Sequence, residues 1–273
     1  MLPVLSIAKK EIMDNIRNKW ILVITFIFAF LTVVVSYFTS RGQGWQNLEL
    51  TIAGMTSLVQ YIVPIIGLML GYAAIVREIE SGSMSSFLAH PVERWEVVVG
   101  KFLGLGFVLS FSILIGFVIA GIIIGLNVSN VDYLGYLIFI VSSILLGLVY
   151  LSLSMLFSTI FKSRSTSMGI AIFTWFFFAI IWGIIITGLI FAFEGNIMTS
   201  GGIPEWYYGL SMINPISSYG LMVSINVVPS GQIMGSIEGL PGFVNTAVLT
   251  AILLVWIILP VFLSALFFER KDI

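Results

Sequence analysis

Cysteine is absent from this 273-residue chain, and charged side chains are scarce. Without cysteine the chain can form no disulfide, no thiolate metal site and no cysteine nucleophile. Charged residues make up 9% of the chain, against about 25% in soluble domains, so a soluble domain of this length is excluded. Hydrophobic residues reach 59%, which indicates a protein that lies mostly in lipid.

Six apolar stretches contain no Lys, Arg, Asp or Glu, and each is long enough to cross a bilayer. They are residues 20–38, 53–76, 102–126, 133–161, 166–193 and 243–268. In lipid the backbone must pair its own polar groups, which leaves helices or a closed barrel. Continuous apolar runs favour helices, because barrel strands alternate apolar and polar residues. The sequence therefore predicts an all-α polytopic membrane protein, with about six transmembrane helices in one domain over residues 1–273.

The lack of charge inside the spans also restricts mechanism. Ion-coupled carriers place ionisable groups at membrane depth, so coupling to an ion gradient is disfavoured. The single histidine, His90, lies outside the spans, which leaves no partner for a serine nucleophile and no metal cluster. We expect no catalytic residue and no metal ligand in this chain. The step Gly100-Lys101-Phe102 lacks the glycines and hydroxyl of a phosphate-binding loop, so the chain is not expected to hydrolyse ATP.

Basic residues predict how the spans are oriented. When alternate connections are assigned to opposite sides, Arg41 alone falls on one side and the remaining eleven of the 12 Lys and Arg fall on the other. Basic residues concentrate on the cytoplasmic side of membrane proteins. Both termini are therefore predicted to lie in the cytoplasm. The protein is predicted to be integral to the cytoplasmic membrane.

Three segments outside the spans have distinct patterns. Residues 1–19 predict an amphipathic helix at the membrane interface, with Leu5, Ala8, Ile12 and Ile16 on its apolar face. Residues 77–101 are the longest and most charged of the predicted cytoplasmic connections. Residues 194–242 are predicted to form a long extracytoplasmic loop, a length that usually indicates function or internal structure.

Two further groups of residues have alternative interpretations. Polar groups and a proline within the spans are either helix-packing residues or parts of a substrate path. The candidates for a path are Gln60, Tyr61, Pro64 and Thr174. In the predicted outer loop, the side chains either belong to the interfacial aromatic belt or contact an extracytoplasmic accessory protein. The candidates for that contact are Trp206, Tyr207, Asn214 and Pro215.

The connection at residues 77–101 resembles the cytoplasmic loop of type-2 ABC exporter permeases. It reads Arg77-Glu78-Ile79-Glu80-Ser81-Gly82-Ser83-Met84, then His90-Pro91-Val92-Glu93-Arg94, then Val99-Gly100-Lys101. The amphipathic start and Asn214-Pro215 are also similar to that family, and the likeness covers the whole chain. Within the family, the chain looks most like the NosY-type permeases of nitrous oxide reductase maturation. Ala8-Lys9-Lys10-Glu11, Asp14, Arg17-Asn18-Lys19-Trp20 and Ala74-Ile75-Val76 give that closer match.

The resemblance implies a permease subunit that acts as a homodimer. Two copies of a cytoplasmic ABC ATPase would bind ATP and Mg²⁺, so this chain itself would hold no cofactor. The other expected partners are the lipid membrane and an extracytoplasmic accessory protein. No contact with nucleic acid is expected. The residues expected to couple the ATPase to the spans are Glu78, Glu80, Ser81, Gly82, Met84, Phe87, Leu88, Pro91, Glu93 and Arg94. The other interpretation of this segment is a solvated loop whose charges keep it out of lipid.

The resemblance also implies a cargo, a sulfur-containing species for copper-cluster assembly of nitrous oxide reductase. The alternatives are export of another substrate, such as a lipid or drug, or a mechanical or signalling scaffold that acts on an extracytoplasmic partner. A lipid-modifying membrane enzyme is the third class. It is disfavoured because the outer carboxylates are well separated in sequence and lack a histidine.

Overall fold

The computed structural model describes residues 2–17, 48–84, 92–125, 133–194, 203–227 and 240–271, together with positions 23, 25–27, 30 and 34. All of these residues lie in helices, turns or short connections, and none lies in a strand. The helices are α1 (Leu2–Arg17), α2 (Leu48–Gly71), α3 (Val76–Glu80), α4 (Arg94–Gly125), α5 (Tyr133–Ile160), α6 (Arg164–Phe176), α7 (Trp182–Glu194), α8 (Glu205–Ile213), α9 (Pro215–Val227) and α10 (Thr246–Glu269). A π-helical turn, Phe177–Ile181, joins α6 to α7.

Five stretches of the described chain are long and apolar enough to cross a membrane. They are Gly54–Glu80, Arg94–Ile122, Tyr133–Ile160, Arg164–Phe193 and Thr246–Glu269, and they match the second to sixth predicted spans. The all-α polytopic prediction is therefore confirmed. The first predicted span, residues 20–38, lies largely outside the described residues. Its described positions are helical, and Thr25 Oγ1 donates to the Ser112 carbonyl in α4 at 3.5 Å.

Helix α5 is at the centre of the bundle, and small residues allow its neighbours to approach closely. A Cβ at Gly67 of α2 would lie 2.7 Å from the Gly147 carbonyl oxygen of α5, and one at Gly71 would lie 2.0 Å from Ser154 Oγ. Small residues permit this close backbone approach between membrane helices. The α5 hydroxyls are buried, and Ser142, Ser143, Ser152, Ser154 and Thr159 donate to helix carbonyls.

Helix α1 packs on α4 by one face and leaves most of the apolar face predicted for the membrane interface exposed. The buried residues are Val4, Ile7 and Ala8, whereas Leu5 and Ile16 are 63% and 55% exposed. The helix is present as predicted, and Val4 and Ile7 of its protein-packing stripe were not part of the predicted membrane face. The reason is tertiary, because α1 fits against two glycines of α4.

Those two glycines, Gly100 and Gly104, make the contact possible. A Cβ at Gly100 would lie 2.8 Å from Ile7 Cβ, and one at Gly104 would lie 2.8 Å from the Ala8 carbonyl oxygen. Any side chain larger than hydrogen would push α1 away. The exposed apolar face of α1 remains available to lipid, as an interfacial helix requires.

The segment predicted as a long extracytoplasmic loop, residues 194–242, has internal structure, because its described part forms a helical hairpin within the bundle. Helix α9 packs on α5, α10 and α2. The Ile213 carbonyl, at the end of α8, accepts from Trp256 Nε1 near the middle of α10 at 3.0 Å. The other end of α9 returns to the start of α10, where Thr246 Oγ1 donates to Asn226 Oδ1 at 3.0 Å. Helix α8 therefore descends to mid-depth and α9 ascends again.

The tip of this hairpin is Asn214, which binds the π-helical turn. Its Nδ2 donates to the Phe178 carbonyl at 2.8 Å, and its Oδ1 accepts from the Ile216 backbone N–H at 2.9 Å. A π turn shifts the backbone pairing of a helix and often accompanies a functional contact. The asparagine thus caps α9 and fixes the hairpin to the middle of the span Arg164–Phe193.

Candidate functional site

The basic end of the bundle is defined here as the end where α1, α3, the start of α4 and the end of α10 meet. The predicted connection at 77–101 is shorter than expected, because Val76–Glu80 is helical and α4 begins at Arg94. The span α2 ends at Gly71, and a turn at residues 72–75 separates it from α3. Ser158 Oγ of α5 holds this junction by accepting from the backbone N–H groups of Ile75 and Val76 at 2.9 and 3.0 Å.

Lys101 connects three elements at this end. Its Nζ lies 2.5 Å from Glu11 Oε1 of α1 and 2.8 Å from Glu78 Oε1 of α3, and the lysine side chain is 3% exposed. A buried cation is stable only when opposite charges and hydrogen bonds compensate its lost hydration. Glu78 Oε2 is buried without a hydrogen-bond partner, so Glu78 is the less completely satisfied carboxylate.

A second ion pair joins α3 to α6. Glu80 accepts from the Arg164 backbone N–H at 2.7 Å and pairs with the Arg164 side chain. Ser167 Oγ, also in α6, donates to the Tyr72 carbonyl at 2.8 Å. The short helix α3 is therefore bound to α1 and α4 through Lys101, and to the span that begins at Arg164 through Glu80.

Arg94 and Lys271 cap the helices that end at the basic end. The Arg94 guanidinium donates to the carbonyls of Phe268, Glu269 and Lys271 at the end of α10. The Phe268 carbonyl also accepts from the Lys271 backbone N–H. Lys271 Nζ donates to the carbonyls of Thr159 and Phe161 at the end of α5. Burial lowers the pKa of Lys271, and the nearby positive charge of Lys162 lowers it further.

The two glutamates at the start of α4 stabilise the helix itself. Glu96 Oε2 accepts from the Glu93 backbone N–H at 3.0 Å, and Glu93 accepts from the Trp95 indole. The Glu96 contact is the reciprocal half of a capping box. With the contacts of Glu78, Glu80 and Arg94, these show that each charged coupling candidate has a partner within this chain, and their role in coupling stays a prediction.

The surface that remains for a partner is the turn after α3. Ser81, Gly82 and Ser83 are exposed, and Gly82 has φ +71°, a conformation that L side chains rarely adopt. Met84 is fully buried and anchors the turn, so it cannot itself contact a partner. Phe87, Leu88 and Pro91 lie outside the described residues. Within the described part, the exposed coupling candidates are thus Ser81, Gly82 and the peripheral Glu80 and Glu93.

The candidate path residues lie along the contact of α2 with α6 and α9. Gln60 is half-buried and faces α9, since a Cβ at Gly220 would lie 2.5 Å from its Nε2. Tyr61 is exposed, and its carbonyl accepts from Trp175 Nε1 at 3.2 Å. Pro64 is buried within α2, and the Thr174 hydroxyl donates to its own helix at Ile170. The fold therefore places Tyr61 next to Trp175 of α6. A substrate path along Gln60, Tyr61, Pro64 and Thr174 stays a prediction.

The four candidate residues for an outer partner separate into two pairs. Trp206 and Tyr207 are half-buried in α8, and the Trp206 ring packs against Phe193 at the far end of α7, 6.4 Å between centroids. Asn214 and Pro215 are buried at the hairpin tip. The surface role expected of the latter two is therefore wrong, because they hold α8 and α9 to the π turn.

Several residues of this site were not identified from the sequence. Glu11, Arg164 and Ser158 are distant along the chain from the segment they hold, and only packing shows the contacts. The Gly100-Lys101 step was recognised as a motif, but a basic residue at the predicted start of a span gave no indication of two carboxylate partners. Among the described residues, no group of three His, Cys, Asp or Glu is placed to hold a metal ion.

The comparisons with known proteins agree with this architecture. The model of the ABC-2 family transporter proteins matches residues 5–273. A relative from Stutzerimonas stutzeri, named a probable ABC transporter permease protein NosY, is 35% identical, with 97% of this chain and 98% of that protein covered. One of the same name from Pseudomonas aeruginosa is 33% identical, with 98% of each chain covered. The match thus spans the interfacial helix, every described span and the hairpin, and the chain belongs to the ABC-2 transporter family, as an integral permease of the cytoplasmic membrane.

Proposed function

We propose that this permease converts ATP hydrolysis by a separate cytoplasmic ATPase into movement of its spans, and so exports a solute. The observation that supports this most directly is the binding of α3 to three other elements. Glu78 pairs with Lys101 beside α1, and Glu80 pairs with Arg164. A partner that displaces the turn at residues 81–83 would therefore move the ends of α2, α4 and α6 together.

The proposed partner contact is a docking of the exposed turn at residues 81–83 on the ATPase. Two copies of the permease and two of the ATPase would form the complex, with ATP and Mg²⁺ on the ATPase. Hydroxyl contacts hold the shape of the turn, since Ser81 Oγ and Ser83 Oγ are 2.9 Å apart and each lies 3.3 Å from the Glu78 carbonyl oxygen. Such contacts tie the turn to α3, so that a displacement of the turn would reach α3.

The test is co-purification, in mild detergent, of the full chain with its proposed ATPase partner. We expect a stable complex with two copies of each chain, and loss of that complex in the double variant Ser81→Trp, Ser83→Trp. The matched control is Gly242→Trp, at an exposed turn with open space around its Cα at the opposite end. If the tryptophan variant binds the ATPase as well as the control does, the docking proposal is wrong.

The cargo proposed from the family resemblance is a sulfur-containing species for copper-cluster assembly of nitrous oxide reductase. The relatives are named NosY permeases, which supports the subfamily but names no cargo. ATP-dependent uptake of radiolabelled thiosulfate or sulfide into inverted vesicles tests the idea. Uptake that requires both the permease and the ATPase supports it, and a complex that hydrolyses ATP without uptake contradicts it.

A mechanical role on an extracytoplasmic partner is the second candidate, favoured by one continuous series of contacts. Glu80 binds Arg164 at the basic end of the span Arg164–Phe193, and Asn214 binds Phe178 at the middle of the same span. Helix α8 then leads from Asn214 to Trp206 at the opposite end. ATP-dependent hydrogen exchange in α8, in a complex that transports nothing, would favour this role.

A further inference from the structure

A cavity of about 670 Å³ opens at the basic end of the bundle, between α1, the end of α2, α3 and the start of α4. One part of its wall is apolar and includes Met69, Leu70 and Leu105. The rest is largely polar and comes from α1, from residues 72–83 and from Lys101. The cavity is large enough for a small solute or a lipid headgroup, and its polar wall is nearest the ends of the helices.

One part of the polar wall is the charged face of α1. Lys10, Asp14 and Arg17 recur at helical spacing and all line the cavity. This face adjoins the stripe that packs on α4, since Asp14 lies next to Ile7 around the helix, and it lies away from the exposed apolar face with Leu5. Helix α1 therefore has three faces, one each for protein, lipid and cavity. Basic residues are common on the cytoplasmic side of membrane proteins. That preference alone does not require them to line a cavity.

The charges that line the cavity are four basic and three acidic side chains, the basic ones being Lys10, Arg17, Arg77 and Lys101 and the acidic ones Glu11, Asp14 and Glu78. Lys101 already binds both Glu11 and Glu78. Arg17 and Arg77 come from different elements, α1 and α3. In the part of the chain that the structure describes, neither guanidinium forms an ion pair or hydrogen bond. Asp14 is the one carboxylate of the cavity that Lys101 does not bind.

We propose that Arg17 and Arg77 make this cavity a binding site for an oxyanion group, such as a phosphate. Guanidinium groups bind oxyanions through paired N–H donors, and they stay charged at any physiological pH. The oxyanion comes either from a free solute or from the headgroup of an anionic phospholipid, because both present the same chemistry.

The experiment uses the full chain in neutral detergent, stripped of bound lipid. One arm titrates inorganic phosphate by calorimetry, and the other titrates phosphatidylglycerol by native mass spectrometry. The test variant is Arg17→Gln with Arg77→Gln, and the matched control is Lys9→Gln, an exposed α1 residue that does not line the cavity. We expect saturable binding that weakens about tenfold or more in the double variant, as loss of a charge-assisted hydrogen bond implies, and stays unchanged in the control.

Each outcome decides the proposal. Phosphate binding that depends on the two arginines identifies a free solute, and arginine-dependent lipid binding alone identifies a headgroup. The variant Arg17→Lys with Arg77→Lys keeps the charge and the fold but loses the paired donors, so its affinity should be intermediate. The absence of saturable binding of either probe, or equal binding by the double variant and the control, overturns the site. The ATPase takes no part in this experiment, so its result is independent of the coupling proposal.

Discussion

At the scale of the residue, the distinctive group is Lys101, a cation at a membrane boundary that is nearly inaccessible to water. Two carboxylates hold it, one from α1 and one from α3. Hydration is lost by all three groups, so the contact is stabilising only while the three are together. The cluster thus makes the position of α3 depend on that of α1, which the sequence separates from it by more than one span.

Replacement of Lys101 tests this dependence. Lys101→Met leaves Glu11 and Glu78 facing each other without a cation, and breaking such a buried pair costs about 3–5 kcal/mol. We expect a large fall in the thermal midpoint of the purified chain. Adding Glu11→Gln and Glu78→Gln removes both stranded charges and should restore most of the loss.

The control for this series is Lys9→Met, at an exposed position of the same α1 helix, which should leave the midpoint nearly unchanged. A triple variant that is no more stable than Lys101→Met alone would show that the charges are not the cause. The same measurement on Glu11→Gln and Glu78→Gln singly would rank the two carboxylates. We expect the smaller loss for Glu78, since one of its oxygens has no partner.

At the scale of the element, packing in this bundle combines a core of buried apolar side chains with close backbone contact at glycines. Helix α2 approaches α5 at Gly67 and Gly71, and α1 approaches α4 at Gly100 and Gly104. Hydroxyls fill the remaining space and bond to carbonyls, as Ser154 does with the carbonyls of Gly67 and Leu151. In lipid such close contact replaces the hydrophobic force that drives helices together in water.

One extra methyl group at this contact should be costly. In Gly71→Ala the new Cβ would lie 2.0 Å from Ser154 Oγ and 2.9 Å from the Leu151 carbonyl oxygen, so α2 and α5 must separate. Overpacking of this kind costs about 1–3 kcal/mol, and we expect a lower thermal midpoint. Gly183→Ala, with open space around it in α7, is the control and should be neutral or stabilising. Equal behaviour of the two variants would contradict the contact.

At the scale of the whole molecule, the spans differ strongly in how much of their surface this chain covers. The most apolar window of Tyr133–Ile160 is 67% buried, whereas that of Arg164–Phe193 is 11% buried. The latter span nevertheless connects Glu80 to the hairpin tip. Most of the surface of the span Arg164–Phe193 is not covered by this chain, and the span contacts both Glu80 and Asn214. It is therefore the best candidate for contact with a second copy of the chain.

The natural absence of cysteine makes this dimer directly testable. A single cysteine at Ile172 or Ile180, on the exposed side of this span, should give disulfide-linked dimers on mild oxidation of membranes. Cysteine at Val255 or Ile258, which are more exposed and lie on α10, is the control and should stay monomeric. Cross-linking at α10 but not at the span Arg164–Phe193 would place the interface elsewhere.

The pattern of the sequence determined the number, length and class of the described spans. Charge is costly in lipid, and an uncharged apolar stretch of about twenty residues indicates a membrane-spanning helix. It also indicated the family, through the order of the amphipathic start, the motif between Arg77 and Lys101 and Asn214-Pro215 within one topology. Only the tertiary structure decided that residues 205–227 descend into the bundle, that α1 turns Val4 and Ile7 towards α4, and that Glu78, Glu80 and Arg94 are bound within the chain. Local patterns cannot encode these outcomes, because a charge or an apolar stripe acquires its partner from residues brought together by packing far along the chain.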